Sequence, residues 1–358
     1  MLGRSWCEIN LKQLKENYNI CKKNLPKNCT LTAVVKADAY GHGALAVARA
    51  LQTAGCFSFA VSNLQEGVEL RKGGVKGDIL ILGYTPLKLI SAVQDYGLCQ
   101  TVYSKEFANE IVKTKKSIDL QIAIDTGMSR IGFRFDDYLE LKNAVVKMGE
   151  KCKIKGIFTH LACADKKENP FSKTQVERFK NTLKSLDGFC LENRHFSNSA
   201  CFLNGQTELL DSVRLGVCLY GLGDNLLNGI KPILKWKSTV AMVKKIKANE
   251  SVGYGQTFVA KRDMLIATVT TGYADGFSLA LSNLGRVEIN GKLAKIVGRV
   301  CMDAFMVDVS KVGKIAMGDE VVLLGEKYGA GDMAKEINTI PYEITCSISK
   351  RVARVYGE

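Results

Sequence analysis

Eight short apolar runs, spaced by helix-like segments as far as about Tyr220, constrain the fold more than any other feature of this chain. They read "LTAVVKA", "SFAVS", "DILIL", "QTVY", "LQIAID", "IKGIFTH", "HFSNS" and "SVRLG". Most of the intervals carry apolar residues at helical spacing, as in "GALAVARALQTA", "NLQEGVELRKG", "SKEFANEIVKT", "FDDYLELKNAVVKM" and "TQVERFKNTLKSL". Parallel strands need such crossovers, so the alternation predicts an α/β fold with an N-terminal (β/α)8 barrel. A doubly wound open sheet satisfies the same alternation, because strand count alone does not close a barrel. Upstream, Asn10 is placed to cap a helix with Leu11, Leu14, Tyr18 and Cys21 on one face and Gln13 as its capping-box partner.

Beyond about Leu234 the pattern changes to strand-like runs separated by turn signals such as "NG", including "MLIATVTTGYA", "GRVEINGKLAKIVGRV" and "DEVVLLG". The 358 residues therefore divide into a barrel over 1–230 and a mainly β domain over 231–358, with the boundary near the proline of "NGIKPILKW". No segment approaches the roughly 20 apolar residues that span a bilayer, and "MLGRSWCEIN" puts charges where a secretory signal needs an apolar core. The twelve cysteines form no C-x-x-C pair and no metal-spaced cluster with histidine, so we expect reduced thiols, a cytoplasmic location and no metal. A formal charge of +14 invites a nucleic-acid reading, but the lysines are scattered without arginine-aromatic interleaving, and solvated helix faces explain them better.

In a barrel, chemistry gathers where the strands end. That rule collects Lys36 and Tyr40 after the first strand, residues 125–130 after the fifth, His160 after the sixth, Ser199 after the seventh, and Arg214 and Gly216 after the eighth. Singly, each has a bland reading: a strand-end lysine is usually solvated, and a histidine in "FTHLA" is more often a satisfied core residue than a catalyst. Together they are poor in carboxylates, which argues against glycoside hydrolysis. They also pair an amine nucleophile with a glycine-bearing stretch of the kind that holds phosphate on backbone N–H groups. An aldehyde-bearing, phosphorylated cofactor fits that combination.

"AVVKADAYGHG" resembles the signature around the cofactor lysine of alanine racemases. The resemblance continues in order through "IDTGMSRIGF", "THLACAD", "FSNSA", "VRLGVCLYG", "VGYGQTF", "TGYADGF", "VGRVCMD" and "TIPYEITCSISKRVARVY", covering nearly the whole chain. It implies a pyridoxal 5′-phosphate-dependent amino-acid racemase acting on alanine, with serine as an alternative substrate, in a homodimer with shared active sites. The D-amino acid would serve cell-wall peptidoglycan. By motif position, Lys36 binds the cofactor covalently and acts as one base, while Tyr254 of the second subunit acts as the other, from the opposite face. A tyrosine ordinarily titrates near ~10, so Tyr254 would need positive charge or hydrogen bonds to serve near neutrality.

The resemblance further implies that Tyr40, Ser199, Gly216 and Val217 hold the phosphate, that His160 stacks near the cofactor ring, and that Arg214 faces the ring nitrogen. Arg130, Met302 and Asp303 then belong to the substrate site, and Tyr273 to its entry path. Two positions depart from the family pattern. Ala123 stands where many members carry a carbamylated lysine that orients the arginine matching Arg130. Lys350 replaces a tyrosine beside the phosphate and substrate side chain, which makes it either a phosphate contact or a specificity position. Two other activities fit parts of the chain: a non-catalytic pyridoxal phosphate carrier resembles only the barrel half, and a decarboxylase of related architecture would need a different substrate loop.

Overall fold

The computed structural model describes residues 3–114, 116–205 and 209–358. One parallel sheet has eight strands, in the order Thr30–Val34, Ser58–Val61, Asp78–Ile81, Cys99–Val102, Asp119–Asp125, Lys153–Phe158, Asn193–His195 and Ser212–Leu215; seven coincide with the apolar runs, and the seventh strand meets its run, "HFSNS", only at His195. The last pairs with the first, Leu215 opposite Ala33. The seventh and eighth are joined by backbone hydrogen bonds from Asp211 to Arg194 (3.0 Å) and from Arg214 to Ser197 (3.0 Å). The sheet therefore closes into a barrel, and the open doubly wound alternative is excluded. Near-continuous burial along strands such as Cys99–Val102 reflects helices outside and side chains within.

The crossovers form where the periodicity places them, at Ala44–Thr53, Leu64–Lys72, Lys105–Lys113, Tyr138–Gly149 and Phe171–Ser185. Helix Leu11–Lys23 is capped by Asn10, whose Oδ1 accepts the Gln13 N–H at 2.8 Å, and it buries Leu14, Tyr18 and Cys21. Only half of the expected capping box exists, because the Gln13 amide donates to Asn17 and to the Gly229 carbonyl instead.

The second unit is a mainly antiparallel sheet. Strand Leu234–Ile246 pairs with Met264–Val269 at one end and with Glu320–Leu324 at the other, across a register shift between Val240 and Met242. That long bent strand closes a six-stranded barrel around Trp236, Phe277, Phe305, Val287 and Val321, all buried. Strand Ser5–Asn10 adds to this sheet, antiparallel to Leu234–Ile246 and parallel to Ala353–Gly357. By hydrogen bonding, Ser5–Asn10 thus sits with the second sheet. Short helices Ala330–Glu336 and Pro341–Ser347 follow, and the latter packs on the loop behind Lys36. No helix among the described residues is long and apolar enough to cross a membrane.

Candidate active site

Lys36 follows the first barrel strand, and the chain behind it adopts a conformation that L-residues avoid. Ala37, Asp38, Ala39 and Tyr40 all have φ between 52° and 55°, a full left-handed turn. Each such residue costs on the order of 1–2 kcal/mol, so neighbours must hold the turn in place. Glu66 accepts the Ala37 N–H at 2.8 Å, Asp38 Oδ1 accepts the Ala44 N–H at 2.7 Å, and the Asp38 carbonyl accepts the Gly43 N–H at 2.9 Å. Gly41 (φ 85°) presses on the second domain so closely that a Cβ there would stand 2.1 Å from the Thr345 carbonyl oxygen. The glycine is thus required by an interface as well as by a turn.

Burial lowers the Lys36 amine below the usual lysine range, and the charges of Arg130 and Arg214 lower it further, while Glu66 and the Cys346 thiol act in the opposite sense. Arg214 is 4% exposed and fully engaged. Its guanidinium donates to the Thr159 carbonyl (2.8 Å), the Phe196 carbonyl (3.2 Å), His160 Nδ1 (3.3 Å) and His195 Nδ1. It also lies over the Phe158 ring, 5.1 Å from the centroid. Burial brings it down to about 10, which leaves it charged at neutral pH.

Because an arginine only donates, both histidines must accept from it at Nδ1. His195 therefore carries its proton on Nε2 and donates it to Gln121 Oε1 at 2.8 Å. Burial, then Arg214, holds His195 neutral, and burial with Arg214, Arg130 and Lys36 pushes His160 down to about 3. The floor of the site thus holds one fixed cation and two neutral imidazoles. Among the described residues neither histidine hydrogen-bonds to a carboxylate, and no group of histidine, cysteine and carboxylate side chains is placed to hold a metal.

A tightly packed turn after the eighth barrel strand adds two hydroxyls. The Gly216 N–H donates to Ser199 Oγ at 3.0 Å, and a Cβ on Gly216 would stand 2.7 Å from Tyr40 Oη. Tyr40 packs against Tyr220, 5.2 Å between centroids, and edge-on to Tyr342 at 6.2 Å. Tyr220 is itself anchored to the Val34 carbonyl at 2.8 Å and stacked on buried His42. Two hydroxyls beside a backbone that leaves no room for a side chain, with a lysine and a buried arginine near, suit an anionic ring-bearing group such as pyridoxal 5′-phosphate. Val217 follows directly on this turn and is half-buried.

Arg130 is carried by a loop that Asp125 shapes, accepting the Gly127 and Ser129 N–H groups at 2.9 and 3.0 Å, with Ser129 at φ 58°. Its side chain is exposed and forms no hydrogen bond or ion pair among the described residues, although its charge reaches Lys36, His160 and Arg214. Ala123 packs in an apolar cluster with Val34, Ala60, Leu80, Cys99 and Phe158.

The second-domain residues form a separate group. Backbone hydrogen bonds of 3.0 Å join Tyr273 to the Cys301 carbonyl and Ala274 to the Met302 carbonyl, so these two segments are held to each other. Asp303 is clamped by Arg4 (2.8 Å) and Arg351 (2.5 Å), which both also reach buried Asp275. Tyr254 stands 71% exposed on a turn between Ser251–Val252 and Phe258–Val259, and it is not among the groups that act on Lys36 within the chain. Lys350 is exposed on the turn after Pro341–Ser347.

Comparison with known proteins agrees with this arrangement. The alanine racemase N-terminal domain matches residues 9–224, and the alanine racemase C-terminal domain matches residues 233–356. The chain belongs to the alanine racemase family. An alanine racemase of Clostridium novyi is 40% identical over 98% of this chain and 95% of its own length. The solved alanine racemase of Clostridium difficile 630 superposes with a TM-score of 0.94 at 36% identity, covering 100% of this chain and 97% of the other. An alanine racemase of Bartonella henselae, solved with covalently bound pyridoxal phosphate, gives 0.91 at 31% identity over 99% and 100% of the two chains. Like those relatives, this chain is a racemase-family enzyme.

Sequence reasoning missed two residues that the structure ties to this region. His195 ends strand Asn193–His195 at the start of "HFSNS", where a polar residue beside buried positions was the available signal. Glu66 sits near the start of a crossover helix, where an ordinary capping role conceals its reach to Ala37.

Proposed function

We propose that the chain interconverts L- and D-alanine with pyridoxal 5′-phosphate, supplying D-alanine for cell-wall peptidoglycan. The cofactor, when bound, supplies an electron sink that acidifies the α C–H of an attached amino acid. The observation that carries this reading is a partly buried Lys36 amine, lowered by burial and by the charges of Arg130 and Arg214, beside a fully engaged Arg214.

Tyr40, Ser199 and the backbone of Gly216 and Val217 would hold the phosphate. Lys36 would hold the ring and then take or return a proton at Nζ on one face. Tyr254 Oη, brought by a second copy of the chain, would do the same on the other face; two bases on opposite faces are what inversion at a carbon requires. His160 would lie against the ring, and Arg214, a fixed cation opposite the ring nitrogen, would disfavour its protonation and so favour proton return over transamination. Arg130, Met302 and Asp303 would bind the substrate carboxylate region, and Tyr273 would line its entry.

Serine is a second substrate in this reading, because Lys350 widens or recharges the side-chain pocket and one added hydroxyl is rejected only on the order of 10²-fold by an apolar site. Incubating the holoenzyme with L-alanine in heavy water should yield D-alanine with deuterium at the α-carbon. A protein that binds cofactor yet leaves every amino acid unchanged would be a carrier, and release of carbon dioxide would mark a decarboxylase; either outcome sinks the proposal.

A further inference from the structure

The left-handed turn behind Lys36 needs an external hold, and the atom that provides it at the lysine end belongs to another crossover helix. Glu66 Oε1 accepts the N–H of Ala37, the residue directly after Lys36, at 2.8 Å. Glu66 Oε2 accepts the N–H of Ser62, the residue directly after the second barrel strand, at 2.7 Å. Asn63 caps helix Leu64–Lys72 by accepting the Glu66 N–H at 3.0 Å, and the second bond reaches back one residue beyond that cap, where a capping box would return to the Asn63 N–H itself. The first bond leaves the helix altogether. The two strands concerned are neighbours in the sheet, with the Val35 N–H donating to the Ala60 carbonyl at 2.9 Å, so the carboxylate continues their pairing one step past the point where the backbone ladder stops.

We propose that Glu66 is a positioning residue for Lys36: its two carboxylate oxygens tie the left-handed turn to the end of the second strand and so fix where the amine stands. The inference rests on Lys36 being the cofactor lysine. Electrostatics add to the geometry. Among the groups that act on Lys36, Arg130 and Arg214 disfavour its charged form, while Glu66 and Cys346 favour it, so Glu66 balances the amine as well as placing it. A glutamine cannot replace it, because the amide offers two backbone donors one acceptor oxygen and one NH2 group, which only donates.

Three variants test this: Glu66→Gln, Glu66→Asp and, on the exposed side of the same helix, Glu69→Gln. For each, kcat and KM for L-alanine are measured on the holoenzyme. In the cofactor-free protein, acylation of the Lys36 amine is followed against pH by peptide mass spectrometry. Glu66→Gln should lose about tenfold or more in kcat with little change in KM, as expected for a displaced reacting group, and its Lys36 labelling profile should move to lower pH. Glu66→Asp keeps the charge but spans only one N–H, so it should lose kcat while its labelling profile stays close to that of the unaltered protein. Glu69→Gln should match the unaltered protein in both.

A Glu66→Gln protein with a lowered melting temperature but unaltered kcat and labelling profile would make Glu66 a helix cap and nothing more. Should that variant fail to fold, unaltered kcat in Glu66→Asp overturns the proposal and a lowered one supports it. Borohydride reduction of pyridoxal phosphate onto the unaltered protein separates the two inferences. Label on another lysine sinks the reading of Lys36 itself, whereas label on Lys36 with a fully active Glu66→Gln sinks only the role of Glu66.

Discussion

The barrel and the second domain contribute to the site in opposite ways. On the barrel side, Arg214, His195 and His160 are packed, hydrogen-bonded and electrically settled within one chain. On the second-domain side, Tyr254, Met302 and Tyr273 stand 71%, 53% and 45% exposed, and only the last two share backbone hydrogen bonds between their segments. A buried cation with four acceptors can be positioned by its own chain, because desolvation penalises every misplacement. An exposed tyrosine has no such constraint. The contrast is what a site completed by a second copy would look like in one chain alone.

Several substitutions can break that contrast or sharpen it. The largest effect should follow Lys36→Ala, which removes both the covalent anchor and a base; turnover should fall by at least roughly 10³-fold, with loss of the bound cofactor's absorbance. Tyr254→Phe should keep that absorbance and lose about 10²–10⁴-fold in turnover. If it instead retained full activity, the exposed half would not be catalytic. Mixing these two inactive variants under conditions that exchange subunits should restore roughly a quarter of full activity, because half the dimers are mixed and each has one intact site. No recovery would place both bases in one chain.

Acidification probes the barrel side. All three histidines of the chain, His42, His160 and His195, are held neutral by burial, His42 down to about 4 and His160 to about 3. Below their ordinary value of 6.5 the unfolded chain takes up protons that the folded chain refuses. Stability is therefore present above that pH and falls as pH drops from there towards 4, by up to about 1.4 kcal/mol per pH unit for each imidazole. Urea unfolding at pH 7, 6 and 5 measures it; a flat profile would mean that the imidazoles are charged in the folded state. The smallest effect belongs to Lys350→Tyr, which should shift the ratio of alanine to serine turnover by a few-fold within the weak discrimination of an apolar pocket. An unchanged ratio would leave Lys350 without a role in specificity.

Much of this arrangement is legible in the sequence, and the exceptions share a cause. Seven of the eight barrel strands follow from apolar runs, since burial on both faces writes itself into consecutive residues, while Asn193–His195 is short and polar and meets its run only at His195. The helix that begins at Leu11 follows from its cap and stripe. What escaped was pairing over distance: Ser5–Asn10 alternates like any strand, and nothing local says that its partner begins at Leu234. The same holds for His195, whose significance depends on Gln121 and Arg214 lying on either side of it. The mainly β reading of the second domain overlooked helices Ala330–Glu336 and Pro341–Ser347, each only two turns long and so weakly periodic.

Sequence by itself determined the strand and crossover alternation, the change of texture near the proline of "NGIKPILKW", and the placing of Lys36 at the end of a buried run. Each of these is a local matter of periodicity, burial and turn chemistry. Tertiary structure alone decided that the barrel closes, that four consecutive residues after Lys36 wind left-handed, and that Arg214 is shared between two histidines and two carbonyls. Those features oppose local preference or consist of contacts between residues far apart in the chain. They exist only because the packed whole supplies what the isolated segment lacks: an acceptor for an N–H, a wall for a glycine, a partner for a buried charge.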